Sequence, residues 1–78
     1  MSHYDLNSLL LRVKNEAAYR ERFIAGREEV LASWSLSDEE CAAIRDWDLT
    51  RMNELGAYMH LVLLANLALQ HHPRDQTS

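Results

Sequence analysis

An all-α fold, a bundle of about five or six short helices around an apolar C-terminal helix, follows from three features of this 78-residue sequence. Apolar residues recur at three- and four-residue spacing, with no stretch of β-type alternation. Capping signals stand in front of several of these segments. The longest apolar run, Tyr58-Met59-His60-Leu61-Val62-Leu63-Leu64-Ala65-Asn66-Leu67-Ala68-Leu69, covers nearly every face of a helix, relieved only at His60 and along Asn66 and Gln70. A helix apolar almost all round has to be enclosed, by the rest of the chain or in part by another protein. A membrane span takes about 20 consecutive apolar residues, and this run stops short of that.

Leu6, Leu9, Leu10 and Val13 make one apolar stripe of a first helix, with Asp5 placed to cap it and Tyr4 placed to staple onto Leu9. A second helix runs from after Asn15 to Ala25, burying Tyr19 and Phe23 on one face, and Gly26 ends it. Arg20, Glu21 and Arg22 fall on its solvated side. A short third helix from Glu28 to about Ser33 puts Val30, Leu31 and Trp34 on one side, and its first-turn acids suit the positive end of the helix dipole. Ser37-Asp38-Glu39-Glu40 reads as a capping box, with Leu36 and Cys41 at the staple positions, opening a fourth helix that carries Ala43 and Ile44. Asp48 repeats the device for a fifth, with Trp47 and Met52 as its staple. Gly56 then breaks the chain before the apolar helix, and Pro73 stops that helix after His71-His72. These signals define one helical domain over residues 1–72 and a disordered polar tail over 73–78.

Composition narrows the function. The net charge of −4, with basic and acidic residues interspersed, disfavours a nucleic acid or an anionic membrane as partner. One cysteine, Cys41, makes no internal disulfide, and the N-terminus lacks a signal-peptide pattern, so the cytoplasm is the expected compartment. His60, His71, His72 and Cys41 are metal-ligand types without metal-ligand spacing, and a His-His pair at a helix C-terminus serves the dipole or faces water. Cys41 reads as a small buried apolar residue. No nucleophile stands beside an activating base, and no glycine-rich phosphate loop is present, the only glycines being Gly26 and Gly56. The expectation is a chain with no catalytic, cofactor-binding or metal residues of its own. Trp34, Trp47, Tyr58 and His60 are the candidate partner-interface residues, because exposed Trp and Tyr are enriched at binding hot spots.

The run Leu36-Ser37-Asp38-Glu39-Glu40, then Ala43, Asp48, Met52 and Leu55-Gly56 followed by an apolar helix, resembles the LigA-like family, the small (alpha) subunits of protocatechuate 4,5-dioxygenase-type extradiol ring-cleavage dioxygenases. The upstream helices fit as well, so the resemblance extends from about Leu6 to Leu69. It implies a non-catalytic accessory subunit that docks on a large catalytic subunit and helps cover its active site, with Fe(II) held by that partner. The same kind of domain occurs fused to gallate-type dioxygenases and in the leader regions of precursor peptides whose backbone amides become methylated. Many family members carry a second glycine and then His-Pro just after the position of Gly56. This chain reads Gly56-Ala57-Tyr58-Met59-His60 there and departs from that motif. The alternative to a dioxygenase subunit is a protein- or peptide-binding module, either a homo-oligomer or the recognition domain of a backbone-methylated peptide.

Overall fold

The structure, a computed structural model, describes residues 2–72, with side chains from Tyr4 onward. The expected tail over 73–78 therefore lies outside the described residues, as does Pro73. Six helices follow in order: α1 (Ser2–Asn15), α2 (Ala17–Ala25), α3 (Arg27–Ala32), α4 (Asp38–Asp46), α5 (Leu49–Glu54) and α6 (Met59–Gln70). There is no strand among the described residues.

The core is built around α1. Leu6, Leu9, Leu10 and Val13 are completely buried, each contributing about 1.5–3 kcal/mol relative to exposure. The same buried cluster takes in Phe23 from α2, Val30 and Leu31 from α3, Ile44 from α4, Met52 from α5, and Val62 and Ala65 from α6. The most extensive helix pair is α1 with α6. The apolar C-terminal helix is thus part of the bundle, but the rest of the chain encloses only one side of it. Its outer residues Met59, Leu63 and Leu67 are 40%, 48% and 47% exposed.

Local signals place the helix ends. Ser37 Oγ accepts the Glu40 N–H at 3.1 Å while Glu40 Oε1 accepts the Ser37 N–H at 2.9 Å, so the capping box forms as spelled by the sequence. Asp48 Oδ1 accepts the Arg51 N–H at 3.1 Å and starts α5. The expected cap of α1 is different. The helix already begins at Ser2, which puts Asp5 in its first turn, where a carboxylate still suits the dipole. Tyr4 is 72% exposed and does not staple onto Leu9, since residues five apart within a helix lie on different sides.

α4 and α5 end alike. The Asp48 N–H reaches Ala43 O at 2.8 Å and the Trp47 N–H reaches Ile44 O at 3.0 Å; the Ala57 N–H reaches Met52 O and the Gly56 N–H reaches Asn53 O in the same pattern. This is the Schellman closure, which requires a left-handed residue. Gly56 supplies it at φ 118°, and Trp47 supplies it at φ 53° despite its bulk. Three contacts offset the strain at Trp47: its indole N–H donates to Asn66 Oδ1 at 2.9 Å, its ring meets Phe23 edge-on at 5.6 Å, and the Arg27 guanidinium lies 5.8 Å from its ring. Gly26, by contrast, ends α2 as expected, its N–H on Arg22 O, with a negative φ of −148° and not in the left-handed region.

Candidate functional site

Two arginines fasten the bundle from inside. Arg20 Nη1 donates to the carbonyls of Val13 and Lys14, both at 2.8 Å, and so satisfies the end of α1. Its Nε donates to His72 Nδ1 at 3.2 Å, which ties the residues after α6 to the α1–α2 junction. Arg20 is therefore half-buried and does not belong to a purely solvated face, and His72 is buried and does not face water. Its Nε2 has no hydrogen-bond partner and lies 3.8 Å from Glu21 Oε2. Arg27 Nη1 donates to the carbonyls of Ile44 and Arg45 at the end of α4, with its guanidinium 4.5 Å from the Phe23 ring centre. Burial pushes its pKa below the ordinary arginine value, and it remains a cation.

The outer surface divides by charge. None of the eight Lys and Arg or twelve Asp and Glu residues falls in α6. Along one flank of α6 runs a groove of about 510 Å³ lined by Tyr4, Asn7, Ser8, Leu11, Tyr58 and Leu61. Asn7 shapes its floor: its Nδ2 donates to Gly56 O at 3.3 Å and its Oδ1 accepts the Tyr58 N–H at 3.0 Å, which pins the entry into α6 to α1. Along the other flank lies a groove of about 400 Å³ lined by Ile24, Arg27, Trp47, Asn66, Leu69 and Gln70. A third depression, lined by Glu39, Ala42, Ala43, Asp46, Asp48 and Arg51, lies on the α4–α5 side. Within it Arg51 pairs with Glu39 at 3.6 Å and Asp48 caps α5.

The four residues singled out from the sequence are dispersed over this surface. Tyr58, 70% exposed, stands in the first groove with Tyr4. Trp47 is half-buried and lines the second groove. His60 is exposed on the outer side of α6. Trp34 lines neither groove; it is half-buried against the core, with its indole N–H donating to Tyr19 Oη at 2.8 Å. The surface residues that sequence reasoning missed are Tyr4, Leu11, Ile24, Met59, Leu63 and Leu67, all large, apolar or aromatic, and exposed. A signal existed for Leu11, which falls off the α1 stripe of Leu6, Leu9, Leu10 and Val13, so that burial of the stripe leaves it outside.

Among the described residues no group of three or more His, Cys, Asp or Glu is arranged to hold a metal ion. Cys41 is a free thiol, half-buried against the core and so less enclosed than expected of it. No helix of the described residues is long and apolar enough to cross a membrane.

By fold and surface this is a small all-α domain with an uncharged apolar helix left open on one side. Residues 6–72 match the family model described as the LigA subunit of the aromatic-ring-opening dioxygenase LigAB, and the chain belongs to that family. The match takes in every helix that contributes to the core, and it makes the chain a dioxygenase small subunit in general terms, one with a larger catalytic subunit as its counterpart. No curated protein and no solved structure matches the chain.

Proposed function

We propose that this chain is a non-catalytic accessory subunit of an extradiol aromatic-ring-opening dioxygenase, docking on a large iron-binding subunit and helping to cover its active site. The observation that carries this reading is the family match over residues 6–72, nearly the whole described chain. The distribution of side chains supports it. His60 is exposed on α6, His72 is engaged by Arg20, and Cys41 sits on α4, so among the described residues these ligand types lie apart from one another. The Fe(II) and its ligands belong to the partner in this reading, and the small subunit contributes surface. Tyr58 at the entry to α6 and Tyr4 on α1, which line one groove, are the exposed aromatic groups available to shape access to a neighbouring site. The free thiol of Cys41 needs no oxidising compartment, which is consistent with action in the cytoplasm.

Co-expression with the large extradiol-type subunit from the same source tests the reading. The two chains should elute together, and ring cleavage of a catechol-type substrate should require Fe(II) and be faster than with the large subunit alone. Separate elution together with full activity of the large subunit by itself would remove the proposal.

A further inference from the structure

We infer that the groove lined by Ile24, Arg27, Trp47, Asn66, Leu69 and Gln70 is a binding site for a small organic monocarboxylate, a single carboxylate on a compact apolar body. The site is independent of the proposed docking role, which assigns no ligand to this chain.

The hydrogen-bonding groups left over at Arg27 and Asn66 are all donors. Arg27 uses Nη1 on the carbonyls of Ile44 and Arg45, at 3.2 and 3.1 Å, while its Nε and Nη2 have no partner among the described residues. Those two nitrogens share one edge of the guanidinium and form the fork that takes both oxygens of a carboxylate. Trp47 fixes the orientation of Asn66. An indole N–H only donates, so the Asn66 atom it meets at 2.9 Å is Oδ1, and the amide NH2 of Asn66 remains unused. None of the six lining residues is acidic.

Charge makes the same selection. Arg12 and Arg45 hold Glu16 and Glu28, and hydrogen bonding to those carboxylates raises the pKa of each guanidinium. Arg27 has no ion-pair partner among the described residues, and burial acts on it alone, in the lowering direction. A half-buried cation in this position has lost hydration that no counter-ion offsets. An anion seated on the fork would offset it. The guanidinium is also held in advance, by the two carbonyls on Nη1 and by the Phe23 ring at 4.5 Å, so little freedom remains to be lost on binding.

The walls specify the rest of the ligand. Ile24, Leu69 and the Trp47 ring are apolar, and the volume of about 400 Å³ falls in the range of roughly 300–1,000 Å³ typical of small-molecule sites. An inorganic anion would leave those walls uncovered, and a neutral apolar molecule would leave the fork empty. Only one cation lines the groove, which selects a single carboxylate.

Titration of the full chain with cyclohexanecarboxylate tests the site, followed by NMR of the two indole N–H groups. Trp47 lines the groove, and Trp34, bonded to Tyr19 outside it, is the internal reference. The Trp47 signal should shift to saturation while Trp34 stays in place, and cyclohexanecarboxamide and acetate should each bind at least tenfold more weakly. Asn66→Asp keeps an acceptor for the Trp47 indole but sets an anion beside the fork, and should weaken carboxylate binding at least tenfold. Arg27→Gln should do the same, and either variant suffices if the other does not fold, which circular dichroism checks. Equal affinity for acid and amide would reduce the groove to an apolar cleft. Unchanged carboxylate binding in the folded variants, movement of Trp34 in place of Trp47, or no saturable shift would each overturn the inference as well.

Discussion

Ser37→Ala removes one of the two reciprocal hydrogen bonds that start α4. In the native structure the Glu40 N–H points at Ser37 Oγ, and Glu40 is only 2% exposed, so water has little access to the orphaned donor. Losing such a cap costs about 1 kcal/mol, with about 2 as the upper end, and limited hydration favours the upper half of that range. Because α4 delivers Ala43 and Ile44 to the shared core, the loss should appear in global unfolding. For a domain of this length it corresponds to a Tm lower by about 4–8 °C per kcal/mol. Thermal and urea unfolding followed by circular dichroism at 222 nm would measure it, with Ser35→Ala, an exposed serine in the preceding turn, as the matched control. A loss under about 0.3 kcal/mol at Ser37, or equal losses at Ser37 and Ser35, would refute the argument that the box anchors α4.

Further expectations concern the glycines, the inner arginine and one ion pair. Gly26→Ala should be neutral or stabilising by up to about 1 kcal/mol, since φ is negative there and the new Cβ would approach only the mobile tip of Glu29 at 3.3 Å. Gly56→Ala should destabilise by about 1–2 kcal/mol because φ is 118°; a reversed order in urea midpoints would contradict the assigned conformations. Arg20→Met keeps the aliphatic stem but strands two α1 carbonyls and His72 Nδ1, and should cost about 2 kcal/mol in urea unfolding, against under 0.5 if these bonds are incidental. Glu28 is held below its ordinary pKa of 4.5 by its hydrogen bonds to Arg45. A carboxylate with a depressed folded-state pKa stabilises the fold above its unfolded pKa and loses that contribution as the pH falls through the lower, folded value. Carboxyl NMR titration should therefore give a Glu28 midpoint below 4.5 that rises toward it in Arg45→Met; an unchanged midpoint would show that the pair does not persist in solution.

Agreement between sequence and structure is closest where interactions span three or four residues. The Ser37–Glu40 box, the Asp48 cap, and the pairing of Tyr19 with Phe23 on one face of α2 are each complete within a single turn, and each forms where the residue types stand. The α1 start differs from the expected cap at Asp5 because several polar residues near the N-terminus can each begin a helix, and residue type alone does not choose among them. Of the candidate interface residues, exposure at Tyr58 and His60 contrasts with internal hydrogen bonds at Trp34 and Trp47. An indole reads the same in sequence whether its N–H meets solvent or a side chain 15 or 19 positions away.

By itself the sequence determined the helices, the caps at Ser37 and Asp48, the all-α class and the family, since apolar periodicity and capping are local properties of the chain. The tertiary structure alone decided which side of α6 lies open, how Trp47 comes to hold a left-handed turn against Asn66, and how Arg20 reaches His72 across 52 residues. An apolar helix of this kind has little phase of its own, so its buried side is set by the neighbours that pack on it, and here α1 occupies one side and leaves the other to solvent.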